Sequence, residues 1–152
     1  MTTWSTIFKE HRLFSRVVIE KLQSHLKILN GKTIGLLGLT FKPDTDDMRE
    51  APSLKLIEKL NLLGVKVKAF DPILSQSGQT HLSGQVQMET DVQRLAEDCH
   101  ALVLVTDWAE FSNIDFKALA PSMEKALMID GRNFLAKAEL EEAGFEYVGI
   151  GH

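Results

Sequence analysis

Thr33-Ile34-Gly35-Leu36-Leu37-Gly38-Leu39 (TIGLLGL) is the stretch on which the fold turns. It is apolar almost throughout and too short for a buried helix, so it reads as a strand covered on both faces, as in a parallel sheet. Downstream, Pro52 to Leu63 reads as a helix. Pro stands in its first turn, Leu54, Ile57, Leu60 and Leu63 share a face, and Gly64 stops it. Val65 to Phe70 follows as a second strand, and Gln85 to Glu89 as a weak third after a Ser/Gly/Gln loop at 75–84. Asp91 is placed to cap a short helix through Glu97. Ala101 to Thr106 (ALVLVT) is a fourth strand, as apolar as a central strand should be. Helical turns around 108–120, a strand from Ala126 to Ile129, a helix from Ala136 to Ala143 and a last strand from Phe145 to Gly149 complete the series.

Upstream, residues 4–29 read as one long helix. Trp4, Ile7, Phe14, Val18, Leu22 and Leu29 form an apolar stripe, widened by Phe8 and Leu26, and Asn30-Gly31 is the expected stop. The stripe must be covered by the rest of this chain, by a twin helix in a second chain, or by a further domain.

Strands alternating with helices predict an α/β fold: a three-layer, doubly wound, Rossmann-like parallel sheet of about six strands, ordered 3-2-1-4-5-6. The long N-terminal helix is added to it. Composition agrees. The chain has 152 residues, 44% hydrophobic and 25% charged, which suits one globular domain and excludes a disordered or low-complexity chain. A net charge of −4 argues against a nucleic-acid partner. No apolar run reaches the ~20 residues of a membrane span, no signal pattern opens the chain, and a lone cysteine fits a reducing compartment. A cytoplasmic protein is the expectation.

In such sheets ligands bind beyond the carboxyl ends of the strands, near the point where strand order reverses. The first strand runs there into Thr40-Phe41-Lys42 and an acidic loop holding Arg49. Gly35 and Gly38 are spaced G-x-x-G, which is not the G-x-G-x-x-G fingerprint of a dinucleotide turn. Lys42, Arg49 and the ring of Phe41 suit a phosphate and a nucleobase. Alternatively the two cations pair with the acids of an exposed loop. Arg132 follows Asp130-Gly131 just past the fifth strand. It can grip a phosphate or carboxylate through two parallel hydrogen bonds, or pair with Asp130 or Asp107.

Asp71 closes the second strand. Dinucleotide folds hold the ribose there, but a capping or turn role is expected for this residue. Asp107 could serve as a base, but it is expected to cap the turn after the fourth strand, with Trp108 and Phe111 as packing residues. Acidic Glu97 and Asp98 beside Cys99 would raise its pKa and make it a poor nucleophile. His100 reads as structural, and His11 and His25 are about four turns apart, too far to share a metal. No metal site and no catalytic group is expected.

The residues from Gly35-Leu36-Leu37-Gly38 through Phe41-Lys42-Pro43-Asp44-Thr45-Asp46-Asp47-Met48-Arg49 to Glu50-Ala51-Pro52-Ser53 form a recognisable run. It resembles the hallmark stretch of the UDP-glucose/GDP-mannose dehydrogenase family, at the start of that family's C-terminal, UDP-binding domain. The likeness continues at Gly64, Asp71-Pro72, Thr106-Asp107-Trp108 through Phe111, Asp130-Gly131-Arg132-Asn133 and Gly144-Phe145 through Gly151, covering roughly residues 31–151. It implies enzymes that oxidise carbon 6 of a nucleotide sugar to a carboxylate, using two NAD molecules and a cysteine that forms a thiohemiacetal. It also implies an NAD-binding domain, a helical middle domain that dimerises, and a C-terminal domain that holds the nucleotide.

Carried over by motif, Phe41, Lys42 and Arg132 would contact the nucleotide sugar, and Arg49 would reach toward the NAD side. The NAD domain and the catalytic-cysteine segment have no counterpart in this sequence, and Cys99 does not match the latter. The expectation is therefore a UDP-sugar-binding domain, for UDP-glucose or a similar ligand, inactive alone and binding no NAD alone. Residues 1–30 resemble a linker from a missing middle domain, chiefly around Arg16 to Leu22, and residues 31–152 form the nucleotide-sugar-binding unit. The partners are then the UDP-sugar and the other dehydrogenase domains. The alternative is an assembly module that forms a homodimer or docks a partner through its N-terminal helix, with a vestigial nucleotide edge. A phospho-receiver is disfavoured, because the first strand ends in Thr40-Phe41-Lys42 and not in acids.

Overall fold

The computed structural model describes residues 4–40, 42–45, 47–48, 51–77 and 84–150, with side chains from residue 12 onward, that of Ser77 excepted. Six parallel strands form one sheet: β1 Thr33–Leu37, β2 Lys66–Phe70, β3 Gln87–Met88, β4 Ala101–Leu104, β5 Leu127–Asp130 and β6 Glu146–Gly149. Their order, β3-β2-β1-β4-β5-β6, is the doubly wound one. The helices are α1 Trp4–Leu26, α2 Pro52–Leu62, α3 Leu74–Ser77, α4 Val92–Ala96, α5 Phe116–Leu119 and α6 Lys137–Glu142, with short 3-10 segments at Ala109–Asn113 and Ala120–Ser122.

The period-two alternation of the strands divides the core. Ile34, Leu36, Val67, Ala69, Ala101, Val103, Leu127 and Ile129 face one layer, where Val18 and Leu22 of α1 meet Leu56, Ile57 and Leu60 of α2. Leu37, Phe70, Leu102, Leu104 and Met128 face the other, with Leu95 of α4, Phe116 of α5 and Leu140 of α6. Phe116 and Phe145 meet edge to face there, their centroids 5.7 Å apart. Both faces of the sheet are covered, as a parallel sheet requires.

Val18 and Leu22 are fully buried in this chain's own core. The described part of the α1 stripe is therefore seated on α2 and the sheet, and it is not left open for a twin helix. The helix also ends earlier than the apolar spacing suggests. Its last residue is Leu26, and Lys27, not Gly31, first takes the left-handed conformation (φ 67°). The Lys27 amide bonds to the Gln23 carbonyl at 2.9 Å and closes the last turn, so Leu29 reaches the core from a loop. Gly38 is likewise outside β1, not within it. The third strand is only two residues long, as its weak pattern foretold. Asp91 caps α4, accepting the Arg94 amide at 2.8 Å.

Lys68 lies in β2 on a buried face, 6% exposed. Its ammonium donates to the carbonyls of Arg94 (2.7 Å) and Glu97 (3.1 Å) at the end of α4, where a cation also meets the negative end of the helix. His100 is structural, its Nδ1 accepting the Thr33 amide at 3.2 Å. No helix among the described residues is long and apolar enough to cross a membrane.

Candidate functional site

Two loops leave the carboxyl edge on either side of the strand-order reversal, one after β1 and one after β5, with the end of β4 between them. The root of the first is tightly held. The Gly38 amide bonds to the Phe70 carbonyl at 2.8 Å. The Leu39 amide donates to Asp71 Oδ2 at 3.0 Å, and the Leu39 carbonyl accepts the hydroxyl of Ser53. The Thr40 carbonyl accepts Thr106 Oγ1 at 2.7 Å, and Thr40 Oγ1 donates to the Lys42 carbonyl at 2.9 Å. Thr40, Ser53, Asp71 and Thr106 are all completely buried. A buried polar group unable to reach water needs such partners, so each hydroxyl and carboxylate fixes backbone that would otherwise be orphaned. From this root the chain emerges at Lys42, whose side chain is exposed with no ion pair to its amine among the described residues. Of the acids that could pair with it, Asp46 and Glu50 lie outside the described residues. Phe41 and Arg49, the other two candidates of this loop, lie outside the described residues.

The second loop is organised by Asp130, the last residue of β5 and fully buried. Its Oδ1 accepts the Arg132 amide at 3.1 Å, and its Oδ2 accepts the Leu135 amide and the Tyr147 hydroxyl, each at 2.7 Å. Burial and the bond to Asp130 both push the Tyr147 phenol well above its ordinary range, so it stays a donor. Gly131 bonds to the Leu104 carbonyl at 3.0 Å. A Cβ there would lie 2.5 Å from that oxygen and 2.8 Å from the Phe14 ring, so α1 presses directly on this turn and only glycine fits. Asn133 takes φ 52° and donates to the Ile150 carbonyl at 2.7 Å.

Arg132 stands on this turn about one-third exposed, its Nε 3.7 Å from Asp107 Oδ1. That is ion-pair distance without a hydrogen bond, so the guanidinium fork keeps its donors unengaged among the described residues. Asp107 is therefore not the cap expected of it. The 3-10 turn after β4 has Trp108 at its N-cap with no side-chain bond, and Asp107 faces Arg132 instead. Consecutive residues at the end of β4 thus reach both loops: Thr106 to the first, Asp107 to the second. Trp108 and Phe111 pack in the core as expected.

Asp71 does hold a turn, accepting the Ile73 and Leu74 amides at 3.0 Å through Oδ1. Its third bond, to the Leu39 amide across the sheet, is not visible in sequence. The thiol of Cys99 is raised to about 11, chiefly by burial, with Asp98 and Glu89 adding and Lys68 opposing. Sequence had named the acids alone. At pH 8 the native thiol is expected to resist an alkylating reagent that labels the unfolded chain at once; equal labelling rates would contradict the burial. No group of three or more metal-ligating side chains occurs among the described residues. A hollow of ≈ 330 Å³ at the opposite edge, beside Lys66, Lys68, Glu89, Arg94 and Glu97, carries both signs of charge and favours no ion.

The model of the UDP-glucose/GDP-mannose dehydrogenase family, UDP binding domain, matches residues 35–137, which span both loops. The chain belongs to this family. Its UDP binding domain is similar to UDP-glucose 6-dehydrogenase TuaD of Bacillus subtilis (strain 168), 38% identical over 134 residues, covering 88% of this chain and 29% of that protein. The UDP-glucose 6-dehydrogenase of Pseudomonas aeruginosa is 42% identical over 126 residues, covering 80% of this chain and 28% of the relative. A solved UDP-glucose dehydrogenase from Pyrobaculum islandicum superposes with a TM-score of 0.77 at 25% identity, covering 96% of this chain and 31% of that one. The domain therefore spans under a third of the length of each of these relatives.

Proposed function

We propose that this UDP binding domain holds the nucleotide of a UDP-sugar, UDP-glucose or a close analogue, for an NAD-dependent 6-dehydrogenase. The observation that carries the reading is Arg132: a partly exposed guanidinium on a turn whose amide Asp130 holds, beside Asp107 and with its donors unengaged among the described residues. Arg132 and Lys42 would neutralise the diphosphate from the two loops, and Phe41 would stack on the base. Arg49 would face the NAD side. Residues 31–152 are read as the nucleotide-sugar-binding unit and residues 1–30 as the helix that would join it to a preceding domain.

NAD, when bound, supplies the hydride acceptor. It does not fit this edge: the loop after β1 lacks the glycine turn, and Asp71 is engaged by three backbone amides. The nicotinamide and the catalytic thiol would come from elsewhere in the enzyme, leaving this chain alone without activity.

Calorimetric titration with UDP, UDP-glucose and GDP tests the reading. The uridine nucleotides are expected to bind better than GDP, and Lys42→Ala to weaken them about tenfold. Binding by none of the three, or undiminished binding in the variant, would count against it.

A further inference from the structure

We propose that Asp71 is a positioning residue for the Lys42 loop and makes no contact with the nucleotide ribose. The proposal rests on the reading that the nucleotide binds at this edge. Asp71 directly follows β2, beside the strand-order reversal, where dinucleotide-binding folds place the acid that takes the ribose hydroxyls. Here that carboxylate is completely buried. Its Oδ2 holds the Leu39 amide and its Oδ1 the amides of Ile73 and Leu74, all at 3.0 Å. Oδ2 keeps room for one more donor, but the carboxylate is completely buried, so a ribose diol could reach it only by opening the packing around these three amides.

The same carboxylate is one of three anchors on two consecutive residues. Ser53, in the first turn of α2, holds the Leu39 carbonyl, and Thr106, past β4, holds the Thr40 carbonyl. Three separate elements thereby fix the last two residues before the loop, and Thr40 carries the restraint on to the Lys42 carbonyl. A cation presented from a fixed root loses less freedom when it meets a phosphate. Asp71 thus acts on the ligand through Lys42.

Asp71→Asn is a graded test. The amide keeps one acceptor oxygen but turns an NH2 group toward a backbone donor, so the Leu39 bond and the turn bonds cannot both survive. The intact chain and the variant are titrated with UDP and with 2′-deoxy-UDP, and amide exchange is followed at Leu39, whose N–H Asp71 holds. The variant is expected to bind both nucleotides about tenfold more weakly, by the same factor, with faster exchange at that amide. A loss confined to UDP would make Asp71 a ribose ligand and overturn the proposal, as would unchanged affinity and exchange.

If Asp71→Asn does not fold, Ser53→Ala releases the Leu39 carbonyl and leaves Asp71 in place. It should weaken both nucleotides equally and speed exchange at Leu39; unchanged affinity and exchange overturn the proposal. If the unaltered chain binds neither nucleotide, the reading of the edge fails. Exchange at Leu39 then decides separately whether Asp71 holds the loop: faster exchange in the variant supports it, and unchanged exchange overturns it.

Discussion

Arg132→Ala is expected to lower UDP affinity by roughly 10- to 100-fold, the largest loss of any single side chain at this edge. A hydrogen bond to a charged group contributes about 1.5–3 kcal/mol, and tenfold in affinity is about 1.4 kcal/mol. Arg132 has a planar fork of donors, a turn fixed by Asp130 through its own amide, and Asp107 to steady it. None of this is remade by another residue. Stability should hardly move, because the Arg132 and Asp107 side chains are 36% and 34% exposed and such an ion pair contributes little. Arg132→Lys keeps the charge but not the fork, and should fall between the two. Calorimetry at two salt concentrations, with urea denaturation of each variant, separates lost binding from lost folding. Equal affinity in Arg132→Ala and the unaltered chain would remove Arg132 from the site.

The architecture was legible because the strands carry their own signature. TIGLLGL and ALVLVT are too apolar for anything but the centre of a covered sheet, and the alternation of strands with helices then points to a doubly wound order. The helix end was misread because sequence favours Gly31 for the left-handed cap, whereas Lys27 closes the turn with its amide bonded to Gln23. Lys68 was invisible for a different reason. In Lys66-Val67-Lys68-Ala69-Phe70 two lysines alternate with apolar residues, and nothing local shows that the second faces the core and meets the end of α4.

The candidate site divides in the same way. The residues that offer charge, Lys42 and Arg132, announced themselves by type and by position at strand ends. The residues that hold them did not. Asp107 looked like a cap because aspartate before a helical turn commonly is one, and its partner is contributed by a neighbouring strand. Asp71 and Tyr147 act across the sheet on groups far away in sequence, Leu39 and Asp130. Such pairings are consequences of register, which becomes readable only once the strands are laid side by side.

Gly38→Ala should be the most destabilising of the substitutions considered, by about 2–5 kcal/mol. Gly38 turns the chain out of β1 with φ +88°, and a side chain forced into that region costs roughly 1–2 kcal/mol. The added Cβ would also lie 2.5 Å from Thr106 Cβ and 3.0 Å from the Thr106 amide nitrogen. Overpacking of this kind costs about 1–3 kcal/mol more. Relief is difficult, since Thr106 is buried and its hydroxyl holds the Thr40 carbonyl. Pushing Thr106 aside therefore loosens the root of the Lys42 loop, and nucleotide affinity should fall even where the variant still folds. Gly31→Ala supplies the comparison: its φ is +82°, with nothing within 4 Å of the added carbon. It should lose the backbone cost alone, about 1–2 kcal/mol, and leave binding unchanged. Urea denaturation and calorimetry of the two variants decide the matter. If they lose equal stability, the close approach of Gly38 to Thr106, just past the ends of β1 and β4, is not the constraint that the geometry implies. If they differ by the expected margin and only Gly38→Ala weakens UDP, then the contact that closes the sheet at its reversal point also sets the loop that meets the nucleotide.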